Sequence, residues 1–312
     1  MRFSFSTPRS ISALKSSAEK LRKSSPTPLT QTEALNEAAR RSGFANYTHA
    51  KHTLPEKMRA LTLSSRWREG TSKGEEQLKY PVPWTAAEIV SMRLKAGRIA
   101  GFAAMDEELY CTTVASSSDM ARYWLVQALR ELMVMEATGL RPDFVVNYLP
   151  NKRHEFRGAV DYASISPPGA DHLSAWYDPA TKSALIMDEP YLARGEPHKR
   201  AEDRAKWCKL YGFREIPSNW GGTYFPPKSR LFLLTKIGGS IDLAEIESKL
   251  AALPDDFGSS EGDWKGKALS DIPDLESQMQ RSLDALIESK FLDEESGVSD
   301  GIVTIKRGPG NS

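Results

Sequence analysis

The chain has 312 residues, of which 40% are hydrophobic and 27% charged, and its 42 Lys and Arg balance 41 Asp and Glu to a net charge of +1. This apolar fraction suffices for an ordinary core and excludes a wholly disordered chain. The sequence has no apolar run near the ~20 residues of a membrane span and no signal-peptide pattern at its start. With only Cys111 and Cys208, it predicts a soluble cytoplasmic protein that has no disulfide framework and no membrane partner.

Charge is unevenly distributed along the chain. Residues 1–80 contain 15 Lys and Arg but 7 Asp and Glu, whereas residues 240–300 contain 5 and 16. A surplus of positive charge favours an anionic partner, so DNA or RNA is the expected partner of residues 1–80. Attraction between the two ends, or simple solvation of each, explains the same counts equally well.

Residues 1–63 have the pattern of a basic module of three helices. Ser10 is placed to cap a first helix whose apolar side chains recur on one face. Thr30 and Glu33 have the spacing of a capping box for a second helix, which should end at Gly43. A short third helix is expected before the next proline. Residues 64–83 are polar and interrupted by Gly and Pro, which predicts a linker.

The residues 84–253 are expected to form an α+β body. Residues 119–138 are apolar nearly all round, which predicts a central buried helix. Strands are expected after it, over 144–148 and 159–165 and then in a hairpin around Asp178, so the sheet should be mostly antiparallel.

The end of the chain, residues 254–312, is acidic and loop-like in composition. It predicts an acidic linker, an amphipathic acidic helix over residues 271–292, and a mobile tail. The apolar face of this helix should pack on the body or dock a protein partner.

The sequence lacks the common signatures of nucleotide-binding and hydrolytic sites, so candidate catalysis depends on the few histidines. His154 and Glu155 lie in a polar stretch between two predicted strands, where loops often carry sites. Asp171 and His172 precede the predicted hairpin. These four residues are candidates for an acid–base site of a hydrolase or lyase. Glu189, Glu196 and His198 can in principle converge with His154, Asp171 and His172 as an acid–base or metal cluster. Ordinary surface histidines are the alternative, no metal ligands are assigned, and the cofactor is unknown.

Basic residues cluster around the last two helices of the module. Lys and Arg at this density can neutralise phosphates, and polar residues at the start of a helix can contact base edges. A solvated helical face is the alternative. The candidate nucleic-acid-binding residues are Arg40, Arg41, Asn46, His49, Lys51, Lys57, Arg59, Arg66 and Arg68.

Residues 30–47 read TQTEALNEAARRSGFANY. This pattern, a capped box followed by Ala-Leu and then Gly-Phe and a further aromatic residue, resembles a small helical module of proteobacterial proteins. That module occurs ahead of or within glyoxalase-superfamily-like proteins and in uncharacterised proteins of plasmids and integrative elements. The resemblance covers about residues 10–55 and implies a mobile-element or accessory setting. It implies no enzyme activity, because the body lacks the paired βαβββ repeats of a glyoxalase-like site.

The favoured hypothesis is therefore an accessory protein of a bacterial mobile element. It would bind nucleic acid through the basic module and a protein through the body or the C-terminal helix. The alternative hypothesis is an enzyme of the hydrolase or lyase type.

Overall fold

The computed structural model describes residues 8–25, 27–150, 165–191, 200–224, 229–256, 258 and 260–268. These residues form an α+β fold, in which a helical module is joined to two five-stranded, mostly antiparallel sheets that share an apolar core with one long helix. The predicted fold class is confirmed. No helix in the described ranges combines the length and apolarity needed to cross a bilayer.

The described helices and strands follow one another in an irregular order. The helices are Ile11–Ser24 (α1), Gln31–Arg41 (α2), Tyr47–Thr53 (α3), Ala86–Ser91 (α4), Ser118–Thr138 (α5), Ala201–Tyr211 (α6) and Leu243–Leu250 (α7). The strands are Arg59–Glu69 (β1), Ser72–Val82 (β2), Phe102–Met105 (β3), Glu108–Cys111 (β4), Arg141–Asp143 (β5), Ser174–Tyr177 (β6), Ala184–Asp188 (β7), Phe213–Pro217 (β8), Phe232–Lys236 (β9) and Lys267–Ala268 (β10).

The N-terminal helices form a small core of their own. Ser10 caps α1, and Thr30 with Glu33 forms the predicted capping box of α2. The helices are short and contact one another largely through alanines, so little apolar area is buried between them. The capping hydrogen bonds therefore supply a larger share of the stability of these helices. The buried residues of this core are Ile11, Leu14, Ala18, Ala34, Ala38, Ala39 and Ala50.

The first sheet has the strand order β10-β2-β1-β4-β3, in which β1 and β4 are parallel and the other pairs antiparallel. The linker predicted over residues 64–83 is wrong, because these residues form most of the long β1–β2 hairpin. Alternation was obscured because the inner face carries Ser65 and Glu76 near the turn, whereas the apolar pair Leu63 and Leu78 lies further along.

The central helix α5 confirms the prediction of a buried helix. Ser117 caps its start, and Gly139, in the left-handed region at φ 77°, ends it. Its apolar side chains share one core with residues of both sheets. Three polar residues of its middle, Gln127, Arg130 and Glu131, are also buried.

The second sheet has the order β5-β6-β7-β9-β8 and is antiparallel throughout. The predicted hairpin is present as β6 and β7, with Asp178 accepting the N–H of Ala180 in its turn. The predicted strand over 144–148 is wrong, since Val145–Asn147 is a 3-10 turn. The strand predicted over 159–165 lies outside the described residues except for Ile165.

Residues 254–268 were predicted to be part of an acidic linker, but they pack on the body. Asp255 bonds Arg130, and Trp264 joins the core next to Leu78. The acidic helix predicted over 271–292 and the tail lie outside the described residues.

Candidate functional site

The predicted dyad of Asp171 and His172 precedes β6. His172 has φ 50°, an unusual left-handed backbone for a residue with a side chain. Its ring stacks on Tyr224 with centroids 3.5 Å apart, and its Nε2 lies 3.4 Å from Asp171 Oδ1. Tyr191 contacts the same imidazole edge-on. The aromatic stack thus holds the imidazole beside a carboxylate, in a conformation that costs backbone strain.

Glu189 lies next to this dyad. Its backbone N–H donates to Asp171 O, while its carboxylate accepts the N–H and hydroxyl of Thr223 and the N–H of Tyr224. Burial raises the pKa of Glu189, and these hydrogen bonds oppose that shift. The carboxylate therefore ties the loop that carries Tyr224 to the end of β7.

Arg130 supplies a positive charge beside Glu189. Its guanidinium is almost fully buried, lies 4.5 Å from the ring centre of Trp220, and donates to the carbonyl of Gly222. It also pairs with Asp255, with Nη2 and Oδ1 3.0 Å apart. Because a buried guanidinium needs acceptors for its N–H groups, Arg130 links α5 to two separate loops.

Glu131, the next residue of α5, is the second buried carboxylate. Its two oxygens accept the N–H groups of Arg98 and Ile99 at 2.7 and 2.8 Å. Burial raises the pKa of Glu131 to about 7, and the nearby charge of Glu189 adds to the rise. A carboxyl with such a pKa can hold or release a proton at neutral pH.

The structure thus brings Asp171, His172 and Glu189 together, while His154, Glu155, Glu196 and His198 lie outside the described residues. Sequence reasoning missed Arg130 and Glu131. The signal for both was the presence of two charged residues inside a mostly apolar helix, because buried charges need partners. Adjacent helix residues do not face each other, so the partners lie elsewhere, in Asp255 for Arg130 and in the N–H groups of Arg98 and Ile99 for Glu131. In the described part of the chain, no three His, Cys, Asp or Glu side chains are placed to hold a metal ion.

The candidate nucleic-acid-binding residues of the module lie on its surface. Arg40 and Arg41 are exposed, and both pair with Glu37 of the same helix. Lys51, Lys57 and Arg59 are exposed.

Two predicted base-reading residues contribute to local structure. The side chain of Asn46 caps α3 by accepting the N–H of His49, and His49 Nδ1 accepts the N–H of Ala45. Ala50 is the buried residue of α3, so most of this helix faces outward. Among the predicted residues, the lysines and arginines therefore remain better placed than Asn46 for contact with a ligand.

Arg66 and Arg68 do not belong to the module surface. Both lie near the end of β1 that is distant from the module. Arg68 is nine strand positions from Arg59, which corresponds to about 30 Å. Arg66 pairs with Glu75 across the hairpin. The candidate residues therefore form two separate groups.

Comparison with known proteins found no matching family model, no matching curated protein and no matching solved structure.

Proposed function

We propose that the protein binds nucleic acid through the exposed cations of its helical module. The observation that supports this function is the arrangement of α3 and the segment after it, where Lys51, Lys57 and Arg59 are exposed while the apolar residues turn toward the module core. Such a surface neutralises phosphates without requiring a particular base sequence.

The module is held on the body, which favours a fixed binding surface over a free arm. Arg9 bonds Glu136 of α5 and the carbonyl of Pro81, and its guanidinium lies 4.9 Å from the ring centre of Tyr80. Within the module, the N–H of Ile11 donates to the carbonyl of Pro55, two residues after the end of α3. The cations therefore keep a constant position relative to the sheets.

The setting we propose is that of an accessory protein of a bacterial mobile element. The resemblance of residues 10–55 to the helical module of plasmid and integrative-element proteins supports it. A protein partner bound by the body or by residues 271–292 belongs to the same proposal.

The test is the binding of a short labelled DNA duplex by the full chain, followed by fluorescence anisotropy over a range of salt concentrations. The variant Lys51→Gln/Lys57→Gln/Arg59→Gln should bind more weakly and with a salt slope smaller by about 3, since each duplex phosphate contact contributes about 0.9. The matched control replaces three exposed lysines elsewhere, Lys95, Lys206 and Lys209. Unchanged binding by the module variant would exclude the module as the binding surface.

A second candidate function, an acid–base hydrolase or lyase, is favoured by the left-handed backbone of His172 beside Asp171. Strained residues cluster at functional sites, and Asn tolerates the same backbone region. The full chain should then cleave activated carboxylate or phosphate esters, and His172→Asn should abolish the cleavage without changing the far-UV circular dichroism. Absence of cleavage by the unaltered chain removes this candidate.

A further inference from the structure

The first sheet has an outer face, on the side away from α5, that carries charged residues of its own. The inner face is set by Leu61, Leu63, Leu78 and Leu109, which are buried with α5. Because successive side chains of a strand point to opposite faces of the sheet, the residues that alternate with these leucines along each strand point outward. These outer-face residues include Arg66 and Arg68 of β1, Lys73 and Lys79 of β2, Tyr110 of β4 and Lys267 of β10.

The described helices that pack on this sheet lie on its inner side. The core formed by Leu125 and Leu129 of α5 and by Ile89 of α4 includes Leu63 and Phe102 of the sheet. The outer face carries mainly polar and charged residues on β1 and β2, which is typical of a sheet surface that meets water or a polar ligand. It also carries Ala60, Pro81, Ala103 and Met105. We call it the outer face of the first sheet.

Positive charge outweighs negative charge on the outer face, where Arg66, Arg68, Lys73, Lys79 and Lys267 stand against Glu75 and Glu108. Glu75 is its buried carboxylate and is paired by Arg66 on one side and Lys267 on the other, at 3.4 and 3.3 Å. Arg68 and Lys79 are exposed. The paired carboxylate therefore holds two cations in place while the remaining cations project from the sheet.

The cations lie in register across the hairpin. Arg68 faces Lys73 at one end of the sheet, and Lys79 faces Thr62 six positions further along β1, about 20 Å away. Tyr110 pairs with Ser64 between these ends and is half-buried. An extended polyanion laid along β1 would meet cations at both ends and a phenol ring between them.

We propose that the outer face of the first sheet binds a single strand of nucleic acid. Arg68, Lys73 and Lys79 contact phosphates, and the Tyr110 ring stacks on a base. A single strand fits because an open sheet offers no element to enter a duplex groove, whereas a π face beside cations suits an unpaired base. This inference extends the proposed nucleic-acid binding to a second surface. Its three cations are different residues from those changed in the module variant, although Arg59 begins β1 three positions before Thr62, the partner of Lys79.

The experiment measures binding of a labelled oligothymidylate to the full chain by fluorescence anisotropy at several salt concentrations. The variant Arg68→Gln/Lys73→Gln/Lys79→Gln should lose affinity and lower the salt slope by about 2, since each single-strand phosphate contact contributes about 0.7. The control replaces Lys95, Lys206 and Lys209 by Gln and should keep the slope. Tyr110→Leu should weaken binding roughly tenfold, and Tyr110→Phe should restore it.

The outcomes separate the two surfaces. Normal oligothymidylate binding by the sheet variant overturns the present inference even if the module variant has lost duplex binding. Loss of oligothymidylate binding in the sheet variant supports this inference, and unchanged duplex binding in the module variant overturns the role of the module. An unaltered chain that binds neither oligothymidylate nor the duplex overturns both, whereas one that binds only the duplex overturns this inference alone. Equal binding to anionic phospholipid vesicles, lost in the same sheet variant, also overturns this inference because it shows attraction to any negative surface.

Discussion

Arg9 Nε donates to Glu136 Oε1 at 2.9 Å and thereby fastens the helical module to α5. The pair is partly exposed, so its own contribution to stability is modest, but it occurs where the module meets the body. The contact of Arg9 with the ring of Tyr80 adds a second attachment at the same place.

We expect Arg9→Gln to loosen the module without unfolding the sheets. Loss of the ion pair and the ring contact should cost about 1 kcal/mol and should be local. Amide hydrogen exchange of α1 and α2 should accelerate, whereas exchange in α5 should not. Lys15→Gln, which breaks the exposed pair with Glu56, is the matched control. Uniform acceleration throughout the chain would contradict a local attachment.

A second prediction concerns the pH dependence of stability. The pKa of Glu131 rises to about 7 on folding, so its neutral form is favoured in the folded chain. The unfolded carboxyl ionises near its ordinary pKa of about 4.3. Glu131 therefore does not lower the free energy of unfolding at low pH, where it is protonated in both states. The free energy of unfolding falls as the pH rises from the pKa of the unfolded carboxyl to the pKa of the folded one. The loss reaches about 4 kcal/mol above neutrality.

The measurement is urea unfolding of the full chain at several pH values. Glu131→Gln should flatten the curve over this interval, because an amide does not ionise. Asp188 also has a pKa raised by burial, to about 6, so the unaltered chain and the Glu131 variant both retain a slope from that group. Glu202→Gln, at an exposed position of α6, should leave the curve unchanged. An identical slope for Glu131→Gln would show that Glu131 ionises normally.

The elements that sequence reasoning predicted are those that depend on nearby residues. The capping box of Thr30 and Glu33 requires residues three positions apart, and the burial of α5 follows from its composition. In contrast, Glu189 finds its donors in Thr223 and Tyr224, more than thirty positions away. Such pairings depend on how the strands are arranged, which local patterns do not specify.

The β1–β2 hairpin was not predicted from the sequence for a different reason. Its register places Trp67 opposite Gly74, and a Cβ at Gly74 would lie 2.5 Å from the indole of Trp67. The glycine is thus needed to make room for a large ring, yet in the sequence it read as a loop residue. The polar residues Ser65 and Glu76 on the inner face then removed the alternation that would have indicated a strand.

A third prediction uses two glycines with similar backbones and different surroundings. Gly222 has φ 85°, and a Cβ there would lie 2.2 Å from Glu189 Oε2, whereas Gly212 has φ 67° and no atom within 4 Å of the added Cβ. Gly212→Ala should cost about 1 kcal/mol of unfolding free energy from backbone strain alone. Gly222→Ala should cost about 3 kcal/mol, because Glu189 must also give up its bonds to the loop. Equal losses in urea unfolding would show that Glu189 moves aside freely.

The last prediction concerns a cluster of buried charged residues where α6 packs on the second sheet. Arg204 of α6 is buried and lies 2.8 Å from Asp188 Oδ2 through its Nη1, and it also pairs with Glu215 of β8. Even with this partner, burial keeps the pKa of Asp188 above its ordinary range, at about 6. The arginine therefore compensates a carboxylate that water cannot reach.

Replacing Arg204 by Met should cost about 3–5 kcal/mol, because it leaves Asp188 buried without its cation. The decrease in unfolding free energy should be larger at high pH, where Asp188 must either carry an unpaired buried charge or remain protonated above its ordinary pKa. It should be smaller at low pH, where Asp188 is neutral. Adding Asp188→Asn should recover part of the stability at high pH and little at low pH. Lys206→Met, on the exposed side of the same helix, is the control for helix propensity. A loss independent of pH, or no recovery in the double variant, would mean that Arg204 acts through packing on Phe232 and not through its charge.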